Sequence, residues 1–220
     1  MQARIQATYG LDSAVVPAPH SMDETGPQEV VPELADWGDG FHLVVSRLLP
    51  YKNVDKVVDA FAGSGDRLVI VGRGPEEQHL RARLGPQMRL VSGLTDDQMR
   101  WVYAHCIRLL APSLEDFGLT PLEAATFGKP TVALRAGGYL DTIVEGRTGV
   151  FFDRSEPGAI RAALVRADRV VWSAADLRTH AAGFTVAPFA ARLHSEVARL
   201  TGPVGPAQSP DPDMQPGPGR

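Results

Sequence analysis

The sequence predicts an α/β fold built on one doubly wound, parallel sheet, with further helices at its C-terminal end. Two patterns lead there. From Phe41 onward, short apolar runs rich in Val, Ile and Leu alternate with stretches of helical periodicity. The helical stretches open and close on Pro, Thr and Gly signals. Strands that alternate with helices pair in parallel, because each connection must cross the sheet and return. In such a sheet ligands bind outside the carboxyl ends of the strands.

The elements follow in order. Residues 1–10 suit a short helix and 14–17 a short strand, and 18–40, rich in Pro, Gly and acids, reads as loop. Residues 42–47 form the first strong strand. A helix over 52–61 puts Val54, Val57, Val58 and Phe61 on one face. Then come a strand at 67–71, a helix at 75–84, a strand at 88–91, a helix at 96–105 opened by Thr95-Asp-Asp, and a strand at 107–111. The next helix has a strong start: Thr120 as N-cap, Pro121 at the first helical position, and Glu123 closing a capping box. Gly128 and Pro130 end it. A strand at 131–134, a Gly137-Gly138 turn, a short helix at 139–144 and a strand at 150–152 follow. Helices at 156–168, 174–182 and 186–200 complete the pattern, the last with Phe189, Leu193, Val197 and Leu200 in a stripe. Residues 202–220 are dominated by Pro, Gly and polar residues and read as a disordered tail.

Composition narrows the function. The chain has 220 residues, 44% hydrophobic and 22% charged, which suits one globular domain with a tail. A net charge of −4 argues against a general nucleic-acid binder. The single Cys106 excludes a disulfide framework and reads as a buried thiol, in keeping with a cytoplasmic protein. No apolar run reaches the roughly 18 residues that span a bilayer, and the N-terminus has no signal-peptide pattern. The six histidines show no metal-ligand spacing.

The stretch 111–134 organises the chemistry. A helix that opens just after a strand's carboxyl end presents free N–H groups, and the positive end of its dipole, to an anionic or polyhydroxyl ligand. Glu115 and Glu123 bracket that loop, and Phe117, Gly118, Leu119 and Thr120 lie between them. Gly118 lets the backbone approach a ligand closely. Glu123 is explained by its capping position alone. Upstream, Arg47 and Lys52 follow the first strand, and Gly72-Arg73-Gly74-Pro75 forms a Gly-rich turn after the second.

The run Glu-Asp-Phe-Gly-Leu-Thr-Pro-Leu-Glu-Ala-Ala-Thr-Phe-Gly-Lys-Pro-Thr-Val at 115–132 resembles the hallmark of the retaining, nucleotide-sugar-dependent glycosyltransferases of the GT-B fold, family 4. The resemblance implies that 41–183 is a Rossmann-like donor-binding domain, the C-terminal half of a GT-B fold. Residues 1–40 are then a remnant of the interdomain hinge, and 184–201 a C-terminal helix that crosses to another half lying before Met1. The stripe on that helix equally suits packing on this domain's own sheet. The resemblance also assigns residues. Arg47 and Lys52 bind the donor pyrophosphate, where they stabilise charge growing on the leaving phosphate without a metal. Glu115 binds the sugar's hydroxyls, and Glu123 the ribose. Gly72, Gly93 and Leu94 line the nucleotide pocket. The expected reaction moves a hexose, mannose by closest likeness, from a nucleoside diphosphate to an acceptor: a sugar, a lipid-linked glycan or a small molecule. No cofactor, metal or nucleic acid is expected. The expected place is the cytoplasm, with a peripheral one at the inner membrane as the alternative. Asp211-Pro212-Asp213 spells the motif of metal-dependent glycosyltransferases, but it lies in the tail and is a chance match.

Two rivals stand beside this reading. One is a nucleotide-sugar-binding module without turnover, lacking an acceptor domain. The other is an NAD-dependent oxidoreductase. Against the second, Glu77 stands where the dinucleotide fingerprint has its third glycine, and no acidic residue closes the next strand.

Overall fold

The computed structural model describes residues 2–201. The proposed tail at 202–220, with Asp211 and Asp213, lies outside the described residues. The chain divides into two compact units. Pro17–Val186 holds the sheet, and the other comprises Met1–Val16 with Ala187–Arg220.

In the larger unit six strands form one wholly parallel sheet. They are β1 (Phe41–Val45), β2 (Leu68–Val71), β3 (Met88–Val91), β4 (Cys106–Ala111), β5 (Thr131–Leu134) and β6 (Gly149–Phe152), in spatial order β3-β2-β1-β4-β5-β6. The strands are short, apolar and almost wholly buried, as a sheet covered on both faces requires. Side chains alternate between two cores. Leu68 and Ile70 of β2 face one layer, with Val54, Val57 and Phe61 of α2 (Val54–Phe61) and Ile160 and Ala163 of α7 (Pro157–Ala167). Val69 and Val71 face the other, with Trp101, Val102 and Tyr103 of α4 (Asp96–His105) and Ala124 of α5 (Leu119–Thr126). The remaining helices here are α3 (Glu77–Arg81), α6 (Tyr139–Thr142) and α8 (Ala174–Ala182).

The helix starts have local causes. At α4 the Gln98 N–H donates to Thr95 Oγ1 while Gln98 Oε1 accepts from the Thr95 N–H, a complete capping box. At α5 the expectation fails. The helix begins at Leu119, and its cap is Gly118 at φ 86°, with no side-chain cap. Thr120 and Pro121 lie inside the first turn. Gly118 wins because its Cα packs on Tyr139: a Cβ there would come within 2.5 Å of the ring, so the backbone can take this left-handed path only without a side chain.

Three more expectations need correction. No strand forms at 14–17. Within 18–40 a 3₁₀ turn, Pro32–Leu34, buries Val31 and Leu34 in the α4 layer, and the Trp37 ring there carries the guanidinium of Arg89 at 4.7 Å. The helix expected over 75–84 is confined to α3. Cys106 is buried as expected, and burial pushes its thiol up to about 12.

The smaller unit contains α1 (Gln2–Tyr9) and, from its second residue, α9 (Val186–Thr201). Gln2 Nε2 donates to the Ser13 carbonyl. None of the residues of α9 is buried, and Leu193, Val197 and Leu200 of its stripe are exposed.

Candidate active site

β1 and β4 are neighbours, yet the chain leaves β1 towards β2 and leaves β4 towards β5. Their following loops diverge and open a crevice at the topological switch point. That crevice has a volume of about 760 Å³. It is larger than the recess of about 480 Å³ beside Lys129 and Arg178.

Three loops build it. After β1 the chain runs extended to a 3₁₀ turn, Pro50–Lys52, and then to Asn53 at φ 55°. Asn tolerates this left-handed conformation better than most residues. Asn53 Nδ2 donates to the Pro112 carbonyl at 3.2 Å, which ties the loop after β1 to the loop after β4. Lys52 is thereby only 8% exposed, and its Nζ donates to Glu115 Oε1 at 2.5 Å. After β2, Gly72 packs so closely on the Ser46 carbonyl that any side chain would strike it. After β4, the Gly138 N–H donates to the Glu115 carbonyl at 2.8 Å, so the Gly-Gly turn holds the glutamate's backbone.

Eight expected site residues line this one cleft: Arg47, Lys52, Gly72, Glu115, Phe117, Gly118, Leu119 and Thr120. Three lie off its lining. Gly93 sits against the guanidinium of Arg73, Leu94 packs at the edge of the α4 core, and Glu123 is drawn aside. The capping role expected for the Glu123 carboxylate is not what the structure shows. Its Oε2 accepts from the Tyr103 hydroxyl at 2.6 Å. Tyr103 is fully buried and stacked on Phe127, and burial, with the Glu123 charge, holds its phenol well above the usual range. It therefore remains a donor.

Sequence reasoning missed four residues here. Arg73 lines the cleft as a third cation, exposed and, among the described residues, without a carboxylate partner. Ser113 donates to Glu115 Oε1 at 2.5 Å, and Tyr139 stands behind it with its hydroxyl 3.2 Å from Ser113 Oγ. Their signal was present, since each adjoins a segment already singled out. Tyr103 had none, because its apolar helix face reads as core.

The arrangement is chemically one-sided. The floor is apolar strand ends, and the rim carries Arg47, Lys52 and Arg73 beside the N-terminus of α5. Such a site favours an anion over the cations and hydroxyl groups near Glu115.

Comparison with known proteins agrees with this. The model of a family described as "Glycosyl transferases group 1" matches residues 30–167. A glycogen synthase from Pseudomonas fluorescens is 35% identical over 177 residues, covering 72% of this chain and 34% of that protein. The alpha-1,3/1,6-mannosyltransferase ALG2 of Dictyostelium discoideum is 35% identical over 107 residues, 44% of this chain and 24% of that one. Among solved structures, Anabaena Alr3699/HepE in complex with UDP-glucose superposes with a TM-score of 0.64 at 21% identity, covering 76% of this chain and 51% of that one. The chain thus spans about a third, or less, of the length of these curated relatives.

Proposed function

Because the chain belongs to the glycosyl transferases group 1 family, with the fold of the C-terminal domain of GT-B glycosyltransferases, we propose that its cleft is the donor site of a retaining hexosyltransferase. One observation carries the proposal: the switch point brings Lys52 and Glu115 into contact, with Arg47 and Arg73 on the same rim. A nucleoside diphosphate sugar needs that combination, cations for the diphosphate and a carboxylate for sugar hydroxyls.

In this reading Arg47 and Lys52 hold the diphosphate. As the glycosidic bond breaks, negative charge grows on the distal phosphate, and a forked guanidinium and an ammonium already in place stabilise it with no metal. The N–H groups at the start of α5, from Leu119 and Thr120, add to that field. Glu115 accepts from the sugar's hydroxyls. Glu123, oriented by Tyr103, takes the ribose, and the backbone of Gly72, Gly93 and Leu94 faces the base. No side-chain nucleophile stands in the cleft, so the departing phosphate oxygen takes the acceptor's proton on the same face, and configuration is retained. The sugar is a hexose. Mannose is favoured by the likeness to a mannosyltransferase, and glucose by the UDP-glucose held in the Anabaena structure. A cytoplasmic setting belongs to the same reading. Among the described residues no helix is long and apolar enough to cross a membrane.

Thermal unfolding with UDP, GDP, ADP and NAD, each with EDTA, tests this. A diphosphate at about 100 times its dissociation constant stabilises by about 2.7 kcal/mol, a rise of about 5–10 °C for a domain of this size. The expected result is a shift with one diphosphate, lost in Arg47→Ala and Lys52→Ala. A shift with NAD alone moves the assignment to an oxidoreductase. No shift with any of the four removes the support for a donor site.

A further inference from the structure

The geometry points to Ser113, backed by Tyr139, as the residue that positions Glu115 for the donor's sugar. The inference rests on the donor-site reading above and adds residues to it. Proton inventory fixes the direction of every bond in the chain. An ionised carboxylate only accepts and an ammonium only donates, so Lys52 donates to Glu115 Oε1. Ser113 has one proton, which goes to the same Oε1. Its oxygen is then left to accept from the Tyr139 hydroxyl. Tyr139 suits that duty, since burial, with the Glu115 charge, raises its phenol above the ordinary range. Ser113 itself is 3% exposed and has no access to solvent that would explain its hydroxyl.

Both bonds to Glu115 from within the described residues fall on Oε1. Oε2 is left for a ligand. Lys52 alone would not hold that oxygen in place, because its long stem also follows the phosphate it binds. Ser113 is short and buried, and it fixes the carboxylate from the protein side. The same Tyr139 ring lies under Gly118 at the start of α5, so one side chain supports both the sugar carboxylate and the helix N-terminus. Ser113 is a positioning residue: it acts on the sugar through Glu115 and leaves the nucleotide and its phosphates to other groups.

The test compares two affinities in the same protein. Calorimetric titration measures UDP against UDP-glucose, GDP against GDP-mannose and ADP against ADP-glucose in the wild type, Ser113→Ala and Tyr139→Phe. For the pair the wild type prefers, Ser113→Ala is expected to weaken the sugar nucleotide by about tenfold while the free diphosphate changes less than about twofold. Tyr139→Phe, which keeps the ring, is expected to move the same ratio by a smaller factor, and it carries the test if the alanine variant does not fold. Equal loss on both ligands, or no loss on either, overturns the positioning role and leaves the donor site standing. A wild type that binds no diphosphate overturns both.

Discussion

His42 shows at the scale of one residue how far environment overrides chemistry. It lies on β1 with its ring edge-on to Phe61 at 5.0 Å, and its Nδ1 has no partner. Burial, reinforced by the charge of Arg108 and opposed by Asp66 and Asp168, lowers its pKa to about 4. The unfolded chain titrates near 6.5, so below that value the unfolded state binds the extra proton and the folded state does not. Stability is full above pH 6.5 and is lost as pH falls towards 4, by about 3 kcal/mol in all. Denaturant unfolding of the wild type and His42→Gln from pH 7 to 4 checks this, and the wild type should show the steeper fall. Tyr103 carries a second prediction. Tyr103→Phe leaves the stacking on Phe127 intact and frees Glu123, and it should cost about 1–3 kcal/mol of stability for the lost bond to a charged partner. This pair was illegible in the sequence, because its members lie on two helices and only the fold brings them together. Arg47, Lys52 and Glu115 could be read because each follows a strand end directly, where a parallel sheet places its ligands.

Among the elements, α5 separates what local signals say from what packing decides. Thr120, Pro121 and Glu123 spell a helix start, yet the cap is Gly118, because a residue without Cβ is needed where the chain passes over Tyr139. Two substitutions distinguish the alternatives. Thr120→Ala should change stability by less than about 0.5 kcal/mol, as for a residue with no capping duty. Gly118→Ala should cost about 1–3 kcal/mol, since it forces a side chain into the left-handed region and against a ring. At α4 the local signal and the packing agree, and Thr95→Ala should cost about 1 kcal/mol for a lost cap. Thermal melts of the three variants side by side measure all of this. The loss of regular helix on either side of α3, and the buried turn at Pro32–Leu34, have the same origin: tertiary contacts that no short window of sequence contains.

The whole molecule is acidic, with a net charge of −4, while one cleft gathers Arg47, Lys52 and Arg73. A local cationic field of this kind concentrates an anionic ligand, and exposed charges are screened by salt over about 10 Å at 0.1 M. Diphosphate affinity should therefore fall as salt rises, and more steeply in the wild type than in Arg73→Ala. The sheet order needs only the alternation of strands and helices to be foreseen, and the switch point follows from it, so the address of the site was legible before its inner wiring. The most direct measurement is a calorimetric titration of UDP, GDP and ADP, with the matching monophosphates, into the wild type and the Arg47→Ala/Lys52→Ala double variant. Saturable binding of one diphosphate, tighter than its monophosphate and weakened at least about tenfold in the double variant, is the predicted result. Binding that is indifferent to the second phosphate or to the loss of both cations would contradict the account.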